Sequence, residues 1–339
     1  MIAAMPSSSS SPFRIPLSIL DLSPICEGGD AGQSFRNSLA LAQHAEQLGY
    51  ARYWLAEHHG MPGIASAATS TLLAFIGAGT STIRIGAGGV MLPNHSPLVV
   101  AEQYGTLAAL YPGRIDLGLG RAPGSDGATA RAMRRDMHES AERFPQDVVE
   151  LMDYMSAEPR QRVMAVPGQG SEVPVWILGS STFGAQLAAH LGLPFAFASH
   201  FAPQMMMQAL DIYRQTFKPS AQLQQPHVML GFNVVAAPTD AEAQLLASSL
   251  QQAFVNLRTG RPGRLPPPLA GYRESLDPAA SALLDGVLSC AAIGSPDTVR
   301  AGVQAFIERT GANELMITSQ IFDPQARRES YSLLASVMG

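Results

Sequence analysis

The feature that most constrains this chain is its rhythm. From Ile15 onward, short runs rich in β-branched and aromatic residues alternate with longer stretches whose apolar residues recur at helical spacing. The alternation predicts strands over 17–22, 52–56, 83–92, 114–119, 175–178, 194–198, 228–235 and 314–317. Helices are expected between them, over 34–48, 67–79, 97–111, about 143–155, 183–191, 203–217, 240–258 and 296–309. A strand–helix–strand repeat implies parallel strands. Eight is the count that closes a (β/α)8 TIM barrel, which takes about 250 residues before insertions. An open doubly wound sheet fits less well, since no glycine-rich turn follows the first strand. The expectation is an α/β chain with residues 15–339 as a single (β/α)8 barrel domain.

Two segments stand outside the rhythm. Residues 1–14, MIAAMPSSSSSPFR, read as a flexible tail, because they lack the basic region and continuous apolar run of a secretory signal. Residues 259–289 interrupt the pattern before the last barrel strand. With Gly260, Gly263, Pro262 and the Pro266-Pro267-Pro268 run they suit neither a helix interior nor a central strand. So long a connection is commonly functional, and its position suits a mobile lid over the barrel mouth; a surface insertion without a role is the plain alternative.

Composition narrows the classes. The chain is 46% hydrophobic and only 14% charged, against roughly 25% charged in an average domain, as suits a large core under packed helices. A net charge of −5 and the lack of a Lys/Arg run argue against nucleic acid. The apolar region around 65–92 is broken by Gly77, Gly79 and Arg84, so no membrane span is expected. Cys26 and Cys290 are too few and too far apart for a disulfide framework, and a reducing cytoplasm is the expected location.

The polar residues that break the strand ends carry the functional signal. Tyr53-Trp54-Leu55-Ala56 runs straight into Glu57-His58-His59. A carboxylate and two imidazoles at a buried strand end must be paired or used, and imidazole titrates near neutral pH. Neighbouring strand residues face opposite ways, so His58 and His59 are not expected to share a metal ion, and no metal is predicted. His95 and His200 also follow strands, and three histidine-bearing strand ends on one barrel face suggest a pocket.

Glycine and serine mark the other wall. Ile85-Gly86-Ala87-Gly88-Gly89-Val90 is a strand that loses its side chains midway, which marks either a tight turn or a flat ligand against bare backbone. Arg121, in Gly118-Leu119-Gly120-Arg121-Ala122-Pro123-Gly124, suits an anionic group or an ion pair. Ser180-Ser181 precede a helix, where they can cap it or, with free N–H groups, receive a phosphate. Arg121 and Ser180-Ser181 together compose a phosphate pocket.

Taken in order, GYARYWLAEHH, IRIGAGGVMLPNHSPLVVAEQ, GRIDLGLGRAPG and LGSSTFGAQLAAHLGLPFAFASHF resemble the bacterial luciferase-like flavin monooxygenases over about residues 15–320. The resemblance implies a homodimeric (β/α)8 barrel with FMN at its C-terminal mouth. It makes His58 the catalytic histidine, with His59 and Glu57 in support. It puts Gly88-Gly89 where a non-prolyl cis peptide and bulge meet the flavin ring, and gives Arg121, Ser180 and Ser181 to the flavin phosphate. It places 259–289 where luciferases carry their mobile lid. Ser180 and Gly184 depart from the luciferase pattern of an acidic and a hydroxyl residue. The implied activity is a two-component monooxygenase in which reduced FMN, supplied by a separate flavin reductase, reacts with O2 through a C4a-peroxyflavin and oxidises an apolar or aromatic small molecule. Hydride transfer with deazaflavin F420 and a non-catalytic flavin-binding protein are the alternatives. His95 and His200 are assigned to the substrate pocket.

Overall fold

The computed structural model describes residues 15–122, 127–133 and 137–338. The expected tail over 1–14 lies outside the described residues, as do Pro123 and Gly124 of the fourth-strand motif. The first half of the chain runs β1 (Leu17–Asp21), α1 (Ala31–Gln47), β2 (Arg52–Leu55), α2 (Thr69–Ala78), β3 (Arg84–Met91), α3 (Pro97–Leu110), β4 (Ile115–Gly120), α4 (Gly127–Ala132), α5 (Met137–Glu142) and α6 (Phe144–Met155). The second half adds β5 (Val175–Gly179), α7 (Thr182–Leu191), β6 (Phe195–Phe197), α8 (Met206–Thr216), β7 (Val228–Ala236), α9 (Asp240–Arg258), α10 (Pro278–Val287), β8 (Ala291–Gly294), α11 (Pro296–Thr310), β9 (Glu314–Thr318) and α12 (Pro324–Met338).

All strand pairings are parallel, and the sheet closes on itself. β6-β5-β4-β3-β2-β1-β9-β7 follow one another, and β6 pairs β7 to complete an eight-stranded barrel. The expected (β/α)8 barrel is therefore present, with the expected eighth strand over 314–317 as β9; β8, which the sequence did not signal, lies outside the ring. The reason is the length of β7. Its residues 229–233 pair with β9, while Asn233–Ala236 run on beyond the ring and pair with Ala291–Gly294. Four residues of Ala-Ala-Ile-Gly carry little β-propensity of their own, and the pairing depends on that extension. Within the insertion, α10 occupies 278–287 and packs Leu284 and Val287 on Leu250 and Phe254 of α9.

Two cores result from the alternation of the strands. Outward-facing Ile19, Tyr53, Leu55, Ile85, Leu117, Ile177, Phe195, Leu230 and Ile317 meet the helices in one continuous cluster. Inside the barrel, Leu20, Trp54, Ala56, Trp176, Ala196, Met229 and Met316 form another. The indoles of Trp54 and Trp176 meet edge to face at 5.3 Å. Each is level with a glycine on a neighbouring strand, Gly86 beside Trp54 and Gly118 beside Trp176. A Cβ on Gly86 would sit 2.9 Å from the Trp54 indole nitrogen and 2.5 Å from Asp116 O; one on Gly118 would sit 2.3 Å from Ala87 O.

Below the indoles the barrel floor is ionic. Arg52 reaches Asp116 at 2.7 Å and Glu314 at 3.0 Å, and Arg84 also holds Asp116 through Nε at 3.0 Å. A second buried pair fastens the last helix to the first strand, Arg327 of α12 donating to Asp21 at 2.9 Å. Asp21 also accepts from Ser38 at 2.6 Å and from Tyr53.

The glycine beside Trp176 has no room for a methyl group. Gly118→Ala is expected to lower stability by about 1–3 kcal/mol through overpacking. Gly286→Ala in α10, where a Cβ meets nothing within 4 Å, should be neutral or stabilise by up to about 1 kcal/mol. Chemical denaturation of the two variants checks the contrast, and equal losses would contradict this account of the core.

Candidate active site

The strand ends at the C-terminal mouth bring most of the sequence candidates together, in two groups. Beyond β2 the chain keeps its alternation for a few residues, so Glu57 and His59 share one side and His58 takes the other. Glu57 is buried, and its Oε1 accepts from His59 Nε2 at 2.8 Å and from His95 Nε2 at 2.8 Å. Its other oxygen accepts from the Met91 backbone N–H at 3.3 Å. Burial alone would raise the pKa of this carboxyl; hydrogen bonds from His59 and His95, with their charge, outweigh it and hold the value at about 2. For His59 the Glu57 hydrogen bond raises the pKa, against the opposing effect of burial.

His58 belongs to the other group, with His200. Three devices place the His200 imidazole inside the mouth. Ser199 Oγ donates to Gly231 O at 2.6 Å, Asn233 Nδ2 donates to His200 O at 2.8 Å, and Gly231 has no Cβ where one would stand 2.0 Å from His200 Nδ1. That Nδ1 is enclosed and has no hydrogen-bond partner among the described residues. Burial, then the neighbouring charge of His58, lowers the His200 pKa to about 4, so the ring is neutral at physiological pH. Ser199, Gly231 and Asn233 were not singled out from sequence. Only the Ser199-His200 adjacency hinted at them, since the closeness of 231 and 233 to 200 is a product of barrel closure.

The flavin-side candidates occupy three neighbouring strand ends. The Gly88–Gly89 peptide is cis, and the β3–β4 register shifts between Ala87 and Val90, as a bulge requires. A Cβ on Gly89 would lie 2.7 Å from Gly118 O, and one on Gly88 2.9 Å from Leu20 and 3.0 Å from Trp54. Gly120, the last residue of β4, pairs with Leu178 of β5. Arg121 follows it, and its guanidinium stacks 4.0 Å above the ring of Phe183 in the first turn of α7. Ser181 is the N-cap of that helix by backbone geometry, yet its side chain makes no capping bond. The structure thus brings Arg121 and Ser181 to one helix N-terminus, with Ser180 exposed beside them. Phe183, which carries the arginine, was quoted in the sequence motif without a role.

The insertion lies on the β1 side. Leu265 is buried and bridges Cys26 in parallel, its N–H bonding Ile25 O at 2.9 Å and its O receiving the Glu27 N–H at 2.9 Å. Gly63 makes room for this strap, because a Cβ there would be 2.1 Å from Gly263 O.

The sequence and fold are similar to those of known proteins. Residues 15–314 match the model of the luciferase-like monooxygenase family. A luciferase-like monooxygenase of Escherichia coli (strain K12) is 54% identical over 324 residues, which cover 95% of this chain and 97% of that protein. The crystal structure of apo-MsnO8 superposes with a TM-score of 0.86 at 36% identity, over 95% of this chain and 98% of that one. The oxygenating constituent of 3,6-diketocamphane monooxygenase from Pseudomonas putida, solved in complex with FMN, shares the fold at a TM-score of 0.71 and 17% identity, over 96% and 97% of the two chains.

The Glu57 carboxyl makes a pH prediction. Its folded pKa of about 2 lies below the ordinary 4.5, so the contribution is present above about pH 4.5 and is lost as pH falls towards 2. The shift corresponds to about 3 kcal/mol. Glu57→Gln is expected to destabilise the protein at pH 7 by an amount of that order, and the gap to wild type should narrow below pH 4. Denaturation at several pH values measures it, and a gap independent of pH would refute the assignment.

Proposed function

The chain belongs to the luciferase-like monooxygenase family, a family of oxidoreductases, and from that premise we propose that it is the oxygenase of a two-component system that uses reduced FMN and O2 to oxidise an apolar or aromatic small molecule. The observation that carries this reading is the continuous wall made by three neighbouring strand ends: the side-chain-free Gly88–Gly89 backbone, Arg121 on its Phe183 platform, and the N-terminus of α7. A flat ring system needs bare backbone to lie against, and a phosphate needs a cation and unpaired N–H donors. The residues present fit both requirements. Ser181 supports the phosphate reading further, because its hydroxyl is not spent on capping the helix.

Bound reduced FMN would supply the electrons that activate oxygen. The protein's own groups do the rest. Arg121, Ser180 and Ser181 hold the phosphate end; Gly88–Gly89 let the ring approach the wall; His58 takes up or gives a proton beside the reacting centre. Glu57 fixes His59 and neutralises its charge. Leu22, Ala56 and Leu178 at the mouth, with exposed Phe201, Met205 and Met207 on the rim, suit an apolar substrate. The strap over 259–277 would close this mouth and exclude water, anchored through Leu265 to the loop after β1. No nicotinamide fingerprint accompanies these sites, which supports a separate reductase. Exposed Phe75 of α2, Val99 and Leu110 of α3 and Val149 of α6 support a homodimer through that side of the barrel.

Equilibrium titration with FMN and with F420 tests the cofactor, and tighter binding of F420 would overturn the reading. Arg121→Ala is expected to weaken FMN binding about 10–100-fold, the loss of a charge-assisted contact. His58→Ala should leave FMN affinity within about threefold while substrate oxidation falls about 100-fold or more. Unchanged turnover in His58→Ala would remove His58 from the chemistry, and rapid NADH oxidation by the purified chain alone would remove the separate reductase.

A further inference from the structure

The Glu57 cluster does something the flavin reading does not ask of it. Two imidazoles from different strand ends, His59 after β2 and His95 after β3, direct the same nitrogen at one carboxylate oxygen. One ligand atom from each of Glu57, His59 and His95 lies within 4.8 Å of the other two. We propose that Glu57, His59 and His95 form a binding site for a divalent transition-metal ion of the zinc type, which competes with the hydrogen-bonded arrangement seen in this structure.

Chemistry, geometry and charge each argue for it. Two imidazole nitrogens and one carboxylate oxygen are a donor set for zinc, cobalt, nickel or copper, while calcium and magnesium call for oxygen ligands. The second carboxylate oxygen is held more loosely than the first, by the Met91 N–H at 3.3 Å. Zinc–ligand bonds of about 2.0–2.2 Å require the two imidazole nitrogens and Oε1 to rearrange around the ion in place of their mutual hydrogen bonds. The ion takes the position of the two shared protons. With both imidazoles neutral the three ligands carry one negative charge, which a divalent cation outweighs without leaving the carboxylate buried and unpaired.

The surroundings point the same way. Tyr104 of α3 is fully buried, and its hydroxyl has no partner among the described residues. Burial first and the Glu57 charge second raise its pKa. His59 and His95 remain partly open to solvent, at 20% and 30% side-chain exposure, which leaves an entry path. His58 has no part in the site, since the strand alternation turns it towards His200. The inference does not depend on the flavin reading, because it concerns a face of the cluster that points away from His58.

The test uses the untagged full chain, freed of metal by chelation and free of flavin. Zinc chloride is titrated in by calorimetry, and cobalt chloride is followed by its visible absorption. One ion per chain in the micromolar range or tighter is expected, with a cobalt spectrum of four- or five-coordinate intensity. His59→Ala, His95→Ala and Glu57→Gln should each weaken zinc about tenfold or more, while His58→Ala and His200→Ala should stay within about threefold of wild type. Thermal unfolding of each variant without metal identifies any that fail to fold, and His95→Asn and His59→Asn then take their place. Absence of zinc binding in wild type would overturn the proposal. So would binding that survives loss of both His59 and His95, or that disappears with His58.

Discussion

The two indoles inside the barrel are the constraint from which the rest of the structure follows. Trp54 and Trp176 fill the interior between the ionic floor and the mouth, and their bulk is accommodated only because the neighbouring strands give up their side chains. Gly86 faces the Trp54 ring directly, while Gly118, level with Trp176, gives its space to Ala87 and Leu178. Gly88 meets the same Trp54 one step higher, and Gly89 meets the Gly118 carbonyl. A core-packing requirement at mid-barrel thus leaves the upper ends of β3 and β4 bare. That bareness becomes useful at the mouth, where a planar ligand can reach backbone that no side chain covers. Packing and cofactor access are the same glycines read at two heights.

Charge is divided between the two ends of the barrel in a complementary way. At the floor, Arg52 and Arg84 are matched by Asp116 and Glu314, so each buried charge meets an opposite one across strand boundaries. Such a network holds register and offers nothing to a ligand. At the mouth the balance is incomplete by design of the fold. Glu57 is shared by two imidazoles, and His200 keeps an enclosed nitrogen without a partner. Unfinished hydrogen bonding in a buried place is costly, and the His200 nitrogen is one such place at a strand end.

The amount of this that could be read from the sequence follows the range of the interactions. Strand and helix periodicity is local, so the barrel and the places of Glu57-His58-His59, Gly88-Gly89 and Arg121 were legible. The opposed facing of His58 and His59 was also legible, because period-two alternation needs no tertiary information. β8 was not, since four weak residues pair only because β7 overruns the ring. α12 was not read either, although its Arg327 reaches Asp21 across 306 positions of sequence. His95 was read as part of a pocket on its own. Its partnership with Glu57 spans 38 positions and two strand ends, and only barrel curvature brings them to 2.8 Å. The same holds for Gly231, whose missing side chain is explained by an imidazole from the preceding strand.

Strand alternation finally accounts for how one short motif can serve two tasks. Glu57 and His59 leave β2 on the side of β3 and α3, where Met91, His95 and Tyr104 await them; His58 leaves on the side of His200. A one-residue slip of β2 would exchange these faces and put the carboxylate beside His200. Burial already disfavours the charged form of that imidazole, and a carboxylate there would reverse the balance by favouring it. Register is held against such a slip by the Trp54–Gly86 fit and by Arg52 on the floor, which reaches Asp116 and Glu314 only from its present position. Packing and ion pairs low in the barrel thus keep the carboxylate on the far side of the strand from His200, whose neutral state follows from its own burial and from His58.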